Sequence, residues 1–539
     1  LSNSVTYTGV TNDYYVSGTG GVLGYYNGGD QANLSSWYSS TSQDNPSGTS
    51  PTLSTSVSFV STTDLHINTS ECTINGAATV ISVTVDYDNA TRDATAPDIG
   101  ADEYTYSSTT WTWTGTTSTD WHTKSNWCPP IVPISTSDVL IPSGPTNMPL
   151  ISNADAVCHT ININSGASVT MSGSTSRQLT VYANSTTGSF ANSGTFTAGI
   201  GTVVFDGTGT VSGTTATTFY NVISKTGTLT FNNVVGYYST VSNSFEIQSG
   251  GSVTSGAAPF YATGSTLKYN TGGSYTAYEE WFPNNICSSR GVPHHVVVTG
   301  NTSLNFGNES YYREMCGDLT INSGSSFTLS SVSGGDLYIK GNWNDAGTFY
   351  PNCRMVKFNG TTSDQTITRT GGGTETFNFM AIDKTGYKLI FGSSTDVKLQ
   401  TSTCATDVAY LYMINGDLDL AGRTLFIEGP TSYGGTGATF MWLNVQNGNR
   451  TITSSTAAVV DVKSTYANKT LLVVDGGGSG RLIFDTNITL KDASGEIDFG
   501  SGNLATVKGV FQVDNGGAAT GNSAHYEVGS ILRFTNGND

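Results

Sequence analysis

The chain has 539 residues and a formal net charge of −18, from 40 acidic and 22 basic side chains; only 12% of residues are charged, about half the usual share. That acidity argues against nucleic acid and anionic membrane as partners, and no apolar run approaches the roughly 18 residues needed to insert in a membrane. The 64 glycines and abundant Ser, Thr and Asn make the chain polar, but 11% aromatic residues and recurring short apolar runs leave enough to bury, which excludes wholesale disorder.

Helical periodicity is almost absent. Runs alternating apolar and polar residues recur instead, each bounded by Gly, Asn, Ser or Asp. In chain order they include Val57-Ser58-Phe59-Val60, Leu179-Thr180-Val181-Tyr182, Val203-Val204-Phe205, Leu337-Tyr338-Ile339 and Val356-Lys357-Phe358. Alternation between turn residues predicts β-strands, spaced for an all-β sandwich array, barrel or solenoid.

Internal repeats choose among these. Thr160-Ile161-Asn162-Ile163-Asn164-Ser165-Gly166 matches Asp318-Leu319-Thr320-Ile321-Asn322-Ser323-Gly324, and Lys225-Thr226-Gly227 matches Lys384-Thr385-Gly386. At a different offset, Phe245-Glu246-Ile247-Gln248-Ser249-Gly250-Gly251 matches Phe511-Gln512-Val513-Asp514-Asn515-Gly516-Gly517. Gly264-Ser265-Thr266-Leu267-Lys268-Tyr269 then matches Gly529-Ser530-Ile531-Leu532-Arg533-Phe534. Two modules therefore share a beginning and an end, with extra material inside the second. A stack of coils tolerates such insertion because each coil touches only its neighbours. At roughly 20–25 residues per coil and about 4.8 Å per strand, a rod on the order of 100 Å is expected.

The string Pro97-Asp98-Ile99-Gly100-Ala101-Asp102-Glu103-Tyr104 resembles the closing segment of right-handed parallel β-helix domains in large bacterial secreted proteins. Residues 1–104 are accordingly expected to be the last coils of such a domain. The start, Leu1-Ser2-Asn3, lacks an initiator Met, a basic region and an apolar region, and is expected to lie inside a longer protein. After a Thr- and Ser-rich linker come Trp111-Thr112-Trp113, Asp120-Trp121 and Asn126-Trp127-Cys128. These resemble module starts in giant repeat-rich adhesins of Bacteroidota, of which gliding adhesins are the best-known members. The resemblance implies type IX export and cell-surface display. It covers most of residues 105–539 as a pattern, read as a solenoid module over 105–278 and a longer one over 279–539. The expected fold is thus all-β, right-handed parallel β-helix or β-solenoid modules in tandem.

The seven cysteines are Cys72, Cys128, Cys158, Cys287, Cys316, Cys353 and Cys404. Cys128 and Cys158 occupy the same repeat positions as Cys287 and Cys316, which predicts one disulfide near each module start. Cys353 pairs with Cys404 inside the extra region, and Cys72 is left over. Disulfides imply an oxidising, extracellular setting. No CxxC occurs, so zinc is not expected.

Little else carries chemistry. No G-x-S-x-G, P-loop or HExxH is present. His294-His295 are neighbours expected to face opposite ways in a strand, and so not to chelate one ion together. Among the carboxylates Asp86, Asp88, Asp93, Asp98, Glu279 and Glu280, the Asp86-Tyr87-Asp88-Asn89 run suggests Ca2+ held by Asp86 and Asp88. The competing reading is a turn in which Asp and Asn bond their own backbone. Aromatic pairs such as Tyr14-Tyr15, Tyr25-Tyr26, Trp37-Tyr38, Tyr237-Tyr238 and Tyr311-Tyr312 are each expected to place one ring outward, where it either stacks on sugar or covers a joint between coils.

Repetition favours a non-catalytic stalk or fibre segment, because an active site needs one copy only. Its partners would be neighbouring modules of the same protein or copies of itself in a fibre. A polysaccharide-binding module is the alternative. A β-helix lyase or hydrolase, requiring converging carboxylates, ranks below both.

Overall fold

A computed structural model describes residues 11–46, 52–182, 188–232, 234–254, 256, 258–400, 404, 408–428, 440–463, 470–475, 480–492, 496–499, 504–514, 517–519 and 523–535. The readings placed on Leu1-Ser2-Asn3 and Asn515-Gly516 lie outside the described residues. The fold is nearly all β, with one α-helix, Leu34–Thr41, among the described residues. Packing divides the chain into two compact units: Leu1–Met171 with Ser193–Thr195, and Ser172–Asn192 with Phe196–Asp539.

In the first unit, Gly24–Tyr26 pairs antiparallel with Gly29–Gln31. The helix follows, its first turn closed by a capping box between Asn33 and Ser36. Up to residue 104 the remaining pairings among described residues are isolated bridges: Asp13 with Leu53, Phe59 with Ile67, and Val85 with Thr91. Among the described residues up to 104 no parallel strand pairing of the expected kind is seen beyond the Asp13–Leu53 bridge, and the run at Val57 to Val60 makes one bridge. The reason is local. Asp93 Oδ1 accepts from Thr95 N and Ala96 N, Glu71 Oε1 from Thr73 N, and Asn68 Oδ1 from Ser70 N. N–H groups bonded to nearby side chains are withdrawn from any ladder.

The 97–104 string closes this region. Asp98 is buried; its Oδ1 accepts from Gly76 N and its Oδ2 from Tyr104 N. Glu103 accepts from Asp93 N and Asp98 N and pairs with Arg92. The Tyr104 hydroxyl donates to Glu71 O at 2.6 Å. Ile99 packs with Ile67 and Ile74 in a small core.

Beyond it, Thr110–Trp113, Asp138–Ile141 and Thr160–Ile163 form a parallel ladder. Trp113, Trp121 and Trp127 are buried together, with ring centroids 4.9 and 4.7 Å apart. The indole N–H of Trp113 donates to Asn147 O and that of Trp127 to Trp121 O, so both rings are buried with their polar atom satisfied.

The second unit is built from successive parallel pairings. Leu179 lies beside Val203, Val203 beside Val222, Val222 beside Phe245, Phe245 beside Leu267, Leu267 beside Val296, then Leu319, Trp343 and Ile367. All nine are buried. Because side chains alternate along a strand, parallel neighbours in register put every inward residue on top of the previous one. The ladder runs without interruption past residue 278, where the sequence suggested a module boundary. A seven-stranded parallel sheet from Gly373–Phe377 to Ile531–Thr535 adds a second wall.

At one pair of matched turns, repeated sequence is repeated structure. Gly166 and Gly324 both sit at φ +81°, in turns closed by Ala167 N to Asn164 O and Ser325 N to Asn322 O. Only glycine adopts this conformation at no steric cost. Side chains also cross between passes: Asp318 Oδ1 accepts from Asn342 N, and Asn342 Oδ1 from Thr366 N.

Trp343 is fully buried against Phe349, Phe358 and Phe377. Trp343→Ala should therefore destabilise the protein by about 3–5 kcal/mol in urea unfolding. Tyr350→Ala, at an exposed ring, should stay within about 0.5 kcal/mol of the parent.

Candidate functional site

Three disulfides occur among the described cysteines. Cys287–Cys316 and Cys353–Cys404 have Cα atoms 5.7 and 5.6 Å apart, as an unstrained bridge requires. The third differs from expectation: Cys128 is joined to Cys72, not to Cys158. Cys158 is a buried free thiol on strand Ala156–Cys158, and burial raises its pKa. The repeat misleads here because the two module starts are built differently. Cys128 lies on a strand antiparallel to Thr110–Trp113, whereas Cys287 lies off any strand, with its N–H on the Glu314 carboxylate.

Asp86 and Asp88 serve separate partners. Asp86 Oδ1 accepts from Asp88 N and Ala90 N, and its Oδ2 from Glu103 N. These bonds, Glu103's first, hold the Asp86 carboxyl below its ordinary pKa. These bonds are those of the self-bonded turn. Asp88 reaches His66 instead, Oδ2 to Nε2 at 3.0 Å, while His66 Nδ1 lies 2.6 Å from Asp64 Oδ1. Asp64 first, then Asp88, raises the His66 pKa. His66, Asp88 and Asp102 each offer one ligand atom, all within 4.8 Å of one another. One imidazole and two carboxylates suit zinc-like ions better than calcium, which prefers oxygen alone. Asp64 stands where an outer carboxylate orients a ligating imidazole. The sequence singled out Asp88 but not this grouping; Asp64-Leu65-His66 was its available signal.

In the second unit, Asp345 and Glu375 are buried around Arg369. Arg369 Nη1 lies 2.8 Å from Asp345 Oδ2 and 3.2 Å from Glu375 Oε2. Asp345 and Arg369 are register partners on adjacent strands, so the ion pair follows directly from the ladder. Burial first, then the neighbouring Asp345 carboxylate, pushes the Glu375 pKa up to about 8. No spacing in the sequence announces this trio, because it is assembled by register.

Lys225 and Lys384, matched in sequence, diverge in environment. Lys225 is exposed and pairs with Asp206 at 2.7 Å. Lys384 is buried and donates to Gly360 O, Ser363 O and Gln365 Oε1. Desolvation lowers its pKa to about 8.

His294 and His295 have ring centroids 4.5 Å apart, closer than strand alternation suggested. His294 precedes the strand His295–Val298, so alternation does not govern it. His295 Nδ1 accepts from Asp318 N. Glu280 is buried, 3.2 Å from the Tyr269 hydroxyl, and burial raises its pKa. The aromatic pairs place Tyr15, Tyr25, Tyr237 and Tyr311 outward, with partners half-buried; Trp37 and Tyr38 are both half-buried. Tyr312 is stacked on Tyr338 at 4.3 Å, which covers a joint between neighbouring passes. Among the described residues, no helix is long and apolar enough to cross a membrane.

Residues 112–198 match a family model described as a domain of unknown function, DUF8693. The matched span opens in the strand that carries Trp113. No curated protein and no solved structure matches the chain.

The Glu375 environment has a pH consequence. Its folded pKa exceeds the ordinary 4.5, so between about pH 4.5 and 8 the folded state holds a proton that the unfolded state has lost. Stability from this group is full below pH 4.5 and declines as pH rises through 8. Urea unfolding at pH 5 and pH 8 should show that decline, and Glu375→Gln should flatten it.

Proposed function

We propose that this chain is a non-catalytic structural segment of a large secreted surface adhesin, built of right-handed parallel β-solenoid coils. The observation that carries this reading is the continuous parallel ladder of the second unit with its single-file inward columns. Such a stack lengthens by adding coils without altering those already present. The matched repeats fit that mode of growth, because the same residues recur at the same pairing positions. Three disulfides suit an oxidising, extracellular location. The Trp-rich start at residues 111–128 carries the resemblance to Bacteroidota adhesins and, with it, export by the type IX system. Neighbouring modules of the same protein are the natural partners, and attachment or filament formation the natural role.

Polysaccharide binding is a second reading, favoured by the rings of Tyr278, Tyr311 and Tyr350, each more than half exposed.

Electron microscopy of the full chain tests the first reading, together with intact mass under non-reducing conditions. Elongated particles, three disulfides and no cleavage of acidic polysaccharides are expected. Compact particles that cleave such a polymer would contradict it.

A further inference from the structure

The strand Ile531–Thr535 ends the seven-stranded sheet. In register it continues two core columns. One runs Val397, Leu425, Val460, Leu490, Phe511, Leu532. The other ends Val513, Phe534. Every earlier member of the first column is at most 1% exposed, yet Leu532 is 50% and Phe534 65% exposed. An outermost strand that ended the stack in water would be blunted by charge, proline or a bulge. This one keeps the pattern of a buried strand.

The same chain contains this strand's counterpart with its cover in place. Phe511 pairs with Leu532, Gln512 with Arg533 and Val513 with Phe534. Phe245 pairs in the same way with Leu267, Glu246 with Lys268 and Ile247 with Tyr269. Even the outward contacts correspond: Lys268 Nζ meets Glu246 Oε2 at 2.8 Å, and Arg533 Nη1 donates to Gln512 Oε1 at 3.2 Å. But Leu267 and Tyr269 are fully buried. The parallel strand His295–Val298 lies on them, placing Val296 beside Leu267 and Val298 beside Tyr269. The 3-10 turn Glu279–Trp281 contributes Glu280, which meets the Tyr269 hydroxyl.

We infer that the edge at Ile531–Thr535 is a docking surface for a parallel β-strand of the kind that opens the second module. That strand carries two aliphatic side chains, spaced like Val296 and Val298, over Leu532 and Phe534. Tyr269 presents a hydroxyl to a buried glutamate, whereas Phe534 has none, so the fitting partner supplies an apolar residue in place of Glu280. The inference rests on the stacked-coil part of the proposed function and not on what the adhesin binds.

Hydrogen exchange on two full-length proteins tests it: the chain as it stands, and the chain extended after residue 539 by a copy of residues 275–350 carrying Glu280→Leu in the copy. Residues 343–391 should be protected in both. Residues 531–535 should exchange fast in the first and at least tenfold more slowly in the second. Leu532→Asp in the extended chain should restore fast exchange there. Equal, fast exchange at 531–535 in both proteins, with 343–391 protected, overturns the inference alone. Protection of 531–535 in the unextended chain, accompanied by self-association, assigns the edge to a second copy and also overturns it. Loss of protection over 343–391 in both overturns the stacked-coil reading itself.

Discussion

Each pass of the second unit satisfies its backbone on the pass beside it, and almost everything else about that unit follows from this constraint. A parallel neighbour in register leaves no freedom in where side chains fall. Inward residues stack in columns, Val222 on Phe245 on Leu267, and outward residues stack likewise. A chain that meets its hydrogen-bonding needs this way has little use for surface charge. Its Asp and Asn side chains instead extend the ladder through the turns, as Asp318 does for Asn342 and Asn342 for Thr366.

The same constraint explains how charged groups come to be buried. Asp345 and Arg369 face each other because their strands are neighbours, and Glu375 joins them from the following strand. Removing one partner of such a group leaves an uncompensated charge, which is costly even where the intact pair adds little net stability. Lys384 illustrates the alternative: with no carboxylate in reach of its hydrogen bonds, it is held by two carbonyls and an amide oxygen. The first unit follows other rules up to residue 104, where side chains bond local backbone and the Asp98, Glu103 and Tyr104 contacts close the segment.

The strands were legible where alternation and repetition coincided. Leu337–Ile339 and Met355–Phe358 lie where the pattern placed them, and the matched turns at Gly166 and Gly324 share one geometry. Alternation failed at Val57 to Val60, where Ser58 N is spent on the Glu71 carboxylate and the backbone bonds of Ser58 and Val60 go to an antiparallel bridge with residues 66–68. Repetition failed for Cys128, since equal sequence position does not guarantee equal strand context. The trio of Arg369 with buried Asp345 and Glu375 was invisible for a third reason: its members lie on separate strands, and their encounter depends on register. Asp86 and Asp88 were singled out by spacing, but spacing does not show that one carboxylate is spent on turn N–H groups and the other on His66.

Oxidative cross-linking of paired cysteine substitutions tests parallel stacking most directly. Thr320, Asn344 and Thr368 form one column across three successive passes. Thr320→Cys with Asn344→Cys, and Asn344→Cys with Thr368→Cys, should each form a disulfide, while Thr320→Cys with Thr368→Cys should not. Cross-linking of the outer pair, or failure of both neighbouring pairs, would contradict the stacked arrangement on which the account stands.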